Sequence, residues 1–128
     1  MEIHIDPDPE RSGTIAAETG AAALRSAIER KGTANIIVAT GASQFAVLKS
    51  LIQQKGIPWE KVTIFHLDEY VGLPITHPAS FRQYLWDRFV KQLPHPPRAF
   101  HPLDGESDPE TECTRIGDLI ASIEIDIA

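Results

Sequence analysis

Two apolar, β-branched runs set the limits on what this chain can become: Asn35-Ile36-Ile37-Val38-Ala39 and Val62-Thr63-Ile64-Phe65-His66. Runs this continuous belong to strands covered on both faces, the usual condition of a parallel sheet. Parallel neighbours need a crossover of about a dozen residues or more, usually a helix. The intervening sequence provides one: Phe45, Leu48 and Ile52 recur at helical spacing, with Val47 and Leu51 beside them, up to about Lys55, and Gly56 stops the pattern. The pair of runs therefore predicts a βαβ unit inside a layered α/β domain.

The flanking sequence extends the same alternation. Glu2 to Ile5 alternates polar and apolar residues and reads as a short strand. Asp8 before Pro9 predicts a helix start. The helix carries Ala17, Ala21, Leu24 and Ile28 on one face, is weakened locally by Gly13 and Gly20, and ends near Lys31-Gly32. After the second run comes a loop from Asp68 to Thr76. A helix then starts at Pro78 or at Ser80, where Gln83 completes a capping box, and carries Phe81, Leu85 and Phe89 on one face with Trp86 and Val90 adjacent. Leu93 to Pro97 breaks that pattern, and Ala99-Phe100 reads as a short extended piece.

Ser107-Asp108-Pro109-Glu110 has capping-box spacing and acidic residues suited to a helix N-terminus. The helix it opens has Cys113, Ile116, Ile120 and Ile123 as its buried stripe. From Ile123 to Ala128 the chain begins one more strand. The expected fold is a Rossmann-like three-layer α/β/α arrangement with a mostly parallel sheet, incomplete at the C-terminus.

Composition narrows the partners. The 128 residues are enough for one core, and 42% hydrophobic with 23% charged residues is ordinary for a globular chain. A net charge of -6 without a lysine or arginine cluster argues against nucleic acid and anionic membrane surfaces. A single cysteine rules out an internal disulfide framework and fits a reducing, cytoplasmic setting, and no signal-peptide pattern or long apolar run is present. Cys113 itself reads as a small core or semi-buried side chain. The five histidines show no ligand spacing, so no metal site is expected; His95 and His101, beside prolines, read as loop surface.

Two stretches carry the candidate chemistry, both where a strand hands over to a loop, which is where ligands bind in open α/β sheets. Thr40-Gly41-Ala42-Ser43 joins the first apolar run to its helix. Its backbone amides and the helix dipole suit an anion, while the plainer reading is a tight turn with Ser43 as N-cap. Asp68 and Glu69 stand just beyond the second run. A carboxylate there can move a proton next to a carbonyl or imine; the alternative is a solvated acidic turn. Successive residues point in different directions, so one acid can face the crevice while the other ties down the loop. His66 is expected at a partly buried strand end. His77 is a candidate for ligand contact or capping, and Tyr70 for closing over the crevice or for packing.

With Asp68-Glu69-Tyr70-Val71-Gly72-Leu73-Pro74, His77-Pro78, Ser80-Phe81, Ala39-Thr40-Gly41-Ala42-Ser43, Trp59 and Leu103-Asp104-Gly105 assembled in order, the chain resembles the glucosamine-6-phosphate deaminase (isomerase) family. The resemblance implies conversion of glucosamine 6-phosphate and water to fructose 6-phosphate and ammonia, without an organic cofactor. It matches Asp68 to the aspartate that carries a proton from the sugar's second carbon to its first. It matches Thr40, Gly41, Ala42 and Ser43 to the phosphate-binding loop, and leaves Glu69 and Tyr70 to shape the loop. The family's phosphate loop usually reads Gly-Gly/Ser-Thr-Pro, whereas this chain has Gly41-Ala42-Ser43-Gln44.

Family members continue into a glycine-rich turn with a ring-opening histidine that these residues do not contain, so residues 1–128 are expected to be the N-terminal part of a single domain. The implied partner is a small-molecule sugar phosphate. A second copy of the chain is a further candidate, since an unpaired final strand leaves an exposed edge. Two alternatives share the fold: a 6-phosphogluconolactonase-like hydrolase, against which Tyr70 and Gly72 speak because lactonases typically follow the acid pair with arginine, and a non-catalytic sugar-phosphate-binding domain.

Overall fold

The computed structural model describes residues 3–128. Helix α1 spans Pro9–Lys31 and opens as its sequence predicts. The Asp8 side chain accepts from the Glu10 amide at 3.0 Å, and Pro9 occupies the first turn. It closes at Gly32, whose φ of 84° lets its amide return to the Ile28 carbonyl at 2.8 Å. Strand β1 (Ala34–Val38), helix α2 (Phe45–Gln53) and strand β2 (Val62–His66) form the expected βαβ unit. Helix α3 (Phe81–Arg88), strand β3 (Ala99–His101) and helix α4 (Pro109–Ala121) follow.

The three strands lie in the order β1-β2-β3, all parallel, with Ala34 opposite Val62, Val38 opposite His66, and Thr63 opposite Ala99. Side chains alternate across a sheet. The register therefore puts Ala34, Ile36, Val38, Val62, Ile64 and Phe100 on one face. That face meets Ala17, Ala21 and Leu24 of α1, Leu48 and Leu51 of α2, and Leu85 and Phe89 beside α3 in one continuous apolar cluster. Phe65, on the opposite face, stacks on His101, and Ile116 of α4 is buried outside the main cluster. Helices thus flank the sheet, as the two apolar runs require.

Several expectations are corrected. Residues 3–5 are not a strand, and Glu2 lies outside the described residues. The edge of β1 that such a strand would need is taken by the C-terminal segment: Ile37 donates to the Ile127 carbonyl at 2.9 Å and Asp126 to the Asn35 carbonyl at 2.9 Å. That segment is itself no full strand, only a parallel bridge between Ile36 and Ile127. Its anchor is charged: the Asp126 carboxylate accepts from the Asn35 amide at 2.8 Å and from Lys31 at 2.8 Å.

At the helices, Ser43 makes no cap; a 3-10 turn at Ala42–Gln44 leads into α2, which stops at Gln53 because Gln54 is already extended. Helix α3 starts from Ser80 rather than Pro78, since the Ser80 hydroxyl accepts from the Gln83 amide. Helix α4 is capped by Asp108, not Ser107, whose hydroxyl donates instead to Asp104 at 2.6 Å. Cys113 is exposed: the buried side of α4 is set by Glu112 and Ile116, one residue out of phase with it. His101 is no loop residue but the last position of β3, half-buried against Phe65.

Candidate functional site

The last rung between β1 and β2 fixes the geometry of the candidate site. Val38 and His66 are opposite one another, and the Leu67 amide donates to the Val38 carbonyl at 3.0 Å. The two chains separate directly above this bond. Thr40-Gly41-Ala42-Ser43 leaves β1 and Asp68-Glu69 leaves β2, so the two candidate stretches rise side by side from the carboxyl end of the sheet. Gly41, Ala42 and Ser43 are exposed, whereas Thr40 is buried with its hydroxyl unpaired. The turn bonds Gln44 back to the Gly41 carbonyl at 2.8 Å, and the backbone amides that open a helix have no helical partner of their own.

Asp68 and Glu69 have opposite fates. Asp68 is exposed at the mouth of β2. The Glu69 side chain is only 1% exposed and turns under the start of α3. One of its oxygens accepts from the Tyr70 amide at 3.0 Å and the Phe81 amide at 3.1 Å. The other accepts from the Ser80 hydroxyl at 2.8 Å, the Arg82 amide at 2.9 Å and the Arg82 Nε at 3.3 Å. A carboxylate at the first turn of a helix completes donors the helix cannot satisfy. Burial alone would raise the Glu69 carboxyl above its ordinary range, but the donors from Arg82, Ser80, Tyr70 and Phe81 outweigh it and hold it below.

Tyr70 is half exposed and leans on Phe81, their ring centres 4.9 Å apart. His77 is exposed; its Nδ1 accepts from the Ala79 amide at 3.1 Å and so caps the turn before α3. His66 is more buried than its sequence position suggested, 2% exposed, with neither ring nitrogen bonded. Burial pushes it below the ordinary imidazole range, against the smaller opposing pull of Glu69 and Asp68. Among the described residues no cluster of histidine, cysteine and carboxylate side chains has the geometry to hold a metal ion, and no helix is long and apolar enough to cross a membrane.

Sequence reading missed Arg82, and it gave Asp104 and Gly105 only as part of a motif, without a role. Arg82 is 6% exposed, and its guanidinium reaches Asp104 at 2.7 Å, the Leu73 carbonyl at 2.8 Å and Glu106 at 3.3 Å. The signal was available: a cation in the first turn of a helix opposes the helix dipole, and only nearby acids reconcile it. Gly105 passes so close to the acidic loop that a Cβ there would collide with the Tyr70 carbonyl and lie 3.1 Å from the Glu69 side chain. The Gly72 amide, at a φ of 77°, donates to the Gly105 carbonyl at 2.6 Å.

Residues 7–127 match the family described as glucosamine-6-phosphate isomerases/6-phosphogluconolactonase. A glucosamine-6-phosphate deaminase of Mycolicibacterium smegmatis is 37% identical over 111 residues, 84% of this chain and 41% of its own length. One from Bacteroides fragilis is 32% identical over 127 residues, 95% of this chain and 47% of its own. The solved structure of a monomeric glucosamine-6-phosphate deaminase superposes with a TM-score of 0.82 at 28% identity, over 95% of this chain and 51% of that one. A 6-phosphogluconolactonase from Shewanella baltica, 19% identical with a TM-score of 0.74 over 91% of this chain and 49% of its own, shares the fold. The chain spans about half the length of the relatives it matches. By family match, identity and fold together, the chain belongs to the glucosamine-6-phosphate isomerase/6-phosphogluconolactonase family.

Proposed function

We propose that these residues form the phosphate loop and proton-transfer carboxylate of a glucosamine-6-phosphate deaminase. One observation carries the reading: the Leu67–Val38 bond sets Thr40 to Ser43 and Asp68 side by side at one end of the sheet, with Asp68 left exposed while Glu69 is consumed by α3. The phosphate sits on the amides of Gly41, Ala42 and Ser43. The open-chain sugar extends from there toward Asp68.

Asp68 takes the proton from the second carbon; that electron pair forms the C1–C2 double bond while the carbonyl π pair moves onto the first carbon's oxygen, which takes up a proton released from the amine. Asp68, whose proton can exchange with water, then protonates the first carbon as the nitrogen lone pair forms the C2–N double bond. The ketimine left at the second carbon is hydrolysed by water to fructose 6-phosphate and ammonia. The chain spans about half the length of its relatives, and the isolated 128 residues are expected to release no ammonia from glucosamine 6-phosphate.

Binding tests the phosphate half of the proposal. Titrating the chain with fructose 6-phosphate is expected to shift the backbone amide resonances of Gly41, Ala42 and Ser43, with inorganic phosphate shifting the same amides more weakly. Shifts confined to other surfaces would contradict it.

A further inference from the structure

Two loops meet at the carboxyl end of the sheet, and one side chain bonds to both. Arg82 projects from the first turn of α3 between residues 68–80 and residues 102–106. On one side it meets Glu69 at 3.3 Å and the Leu73 carbonyl at 2.8 Å; on the other it meets Asp104 at 2.7 Å and Glu106 at 3.3 Å. Glu106 also accepts from the Ile75 amide at 3.4 Å.

The β3–α4 loop is fastened in turn to α4. The Asp104 amide donates to Glu112 at 2.7 Å, and Arg115 bonds both Glu112 and the Pro102 carbonyl, the latter at 3.0 Å. Asp68 sits at the near end of this chain of contacts, immediately before Glu69. It is exposed, so its place depends on its backbone neighbours rather than on burial of its own side chain.

We infer that Arg82 is a positioning residue that locks the Asp68 loop to the β3–α4 loop, so that the two behave as a single unit and the placement of Asp68 is set from α4. The inference rests on the proposed role of Asp68 only for its consequence in catalysis; the coupling stands on geometry. A planar guanidinium with several fixed donors can serve four acceptors at once, whereas a lysine ammonium cannot reproduce the fork.

The Gly72 amide, bonded to the Gly105 carbonyl across the seam at 2.6 Å, reports the coupling without any substrate. Amide hydrogen exchange is measured for the wild-type chain, Arg82→Leu, Arg82→Lys and Asp104→Asn. In Arg82→Leu the Gly72 amide is expected to exchange at least tenfold faster relative to the amides of Ile64 and Phe65 in β2. Arg82→Lys and Asp104→Asn should fall between wild type and Arg82→Leu. Combining Arg82→Leu with Asp104→Asn should add little to Arg82→Leu alone, because both remove the same link.

A Gly72 rate that rises only in proportion to those of β2 would mean a loss of overall stability and would overturn the coupling. Full additivity of the double variant would overturn it as well. Because no sugar phosphate enters this measurement, its outcome is separate from whether Asp68 moves a proton.

Discussion

Glu69 receives Arg82 twice, through the backbone amide at 2.9 Å and the side-chain Nε at 3.3 Å, while its own side chain is almost wholly enclosed. The same carboxylate thus caps α3 and neutralises the arginine that would otherwise oppose the helix dipole. Glu69→Ala removes both roles and leaves buried donors unmet. A loss of roughly 3–5 kcal/mol, the range for breaking a buried ion pair, is expected in urea unfolding. A loss below about 1 kcal/mol would show that water replaces the carboxylate without strain.

The acid side of the stability profile follows from two groups shifted the same way. Glu69 is held below its ordinary value of 4.5, and His66 is pushed below 6.5 by burial. In each case the unfolded chain binds a proton at a pH where the folded chain does not. Stability is therefore complete above the unfolded values and falls as pH drops, first below about 6.5 from His66 and then below about 4.5 from Glu69. His101, also pushed down by burial, adds to the first step. His66→Asn should flatten the unfolding free energy between pH 7 and pH 5 relative to wild type, leaving the lower step in place. An unchanged upper slope would contradict the downward shift of His66 by burial.

Two glycines of α1 that look alike in sequence separate in the structure. A Cβ on Gly13 would lie 2.5 Å from the Cβ of Ala46 and 2.8 Å from its backbone, whereas one on Gly20 meets nothing. Gly20→Ala should stabilise the chain by about 0.5–1 kcal/mol through helix propensity and unfolded-state entropy. Gly13→Ala should destabilise it by about 1–3 kcal/mol, because α1 and α2 must separate. Thermal unfolding of the two variants checks both signs at once. Gly105→Ala belongs with Gly13 and should also lower the midpoint.

The C-terminal segment depends on Asp126, whose side chain is 5% exposed between Asn35 and Lys31. Asp126→Ala should speed amide exchange at Ile37 and Asp126, which bond across this seam, before it alters Leu24 in α1. Uniform acceleration across all three would place the segment in the main folding unit instead.

Most of the sheet was legible because its strands are short, apolar and bounded by helical periodicity; β2 and the ends of α1 fall where the pattern puts them. Residues 3–5 were misread because alternation reports only the capacity to pair, and the free edge of β1 goes to residues 126 and 127. Cys113 was misread because the stripe of α4 is set by Glu112, a carboxylate buried through its pairing with Arg115, which no hydropathy pattern shows. The two acids of the candidate site were visible, but their division of labour was not. It depends on the first turn of α3 folding back over Glu69, and on Arg82 reaching a loop more than twenty residues further on.

Asp68 as the proton carrier is tested most directly on a substrate that is already open. The keto form of fructose 6-phosphate needs no ring opening by the protein, so it isolates that step. Deuterium incorporation at the first carbon, measured in D2O, is expected with the wild-type chain and should fall on the order of 10²–10⁴-fold in Asp68→Asn. Undiminished incorporation in Asp68→Asn, or none with either protein, would contradict the assignment.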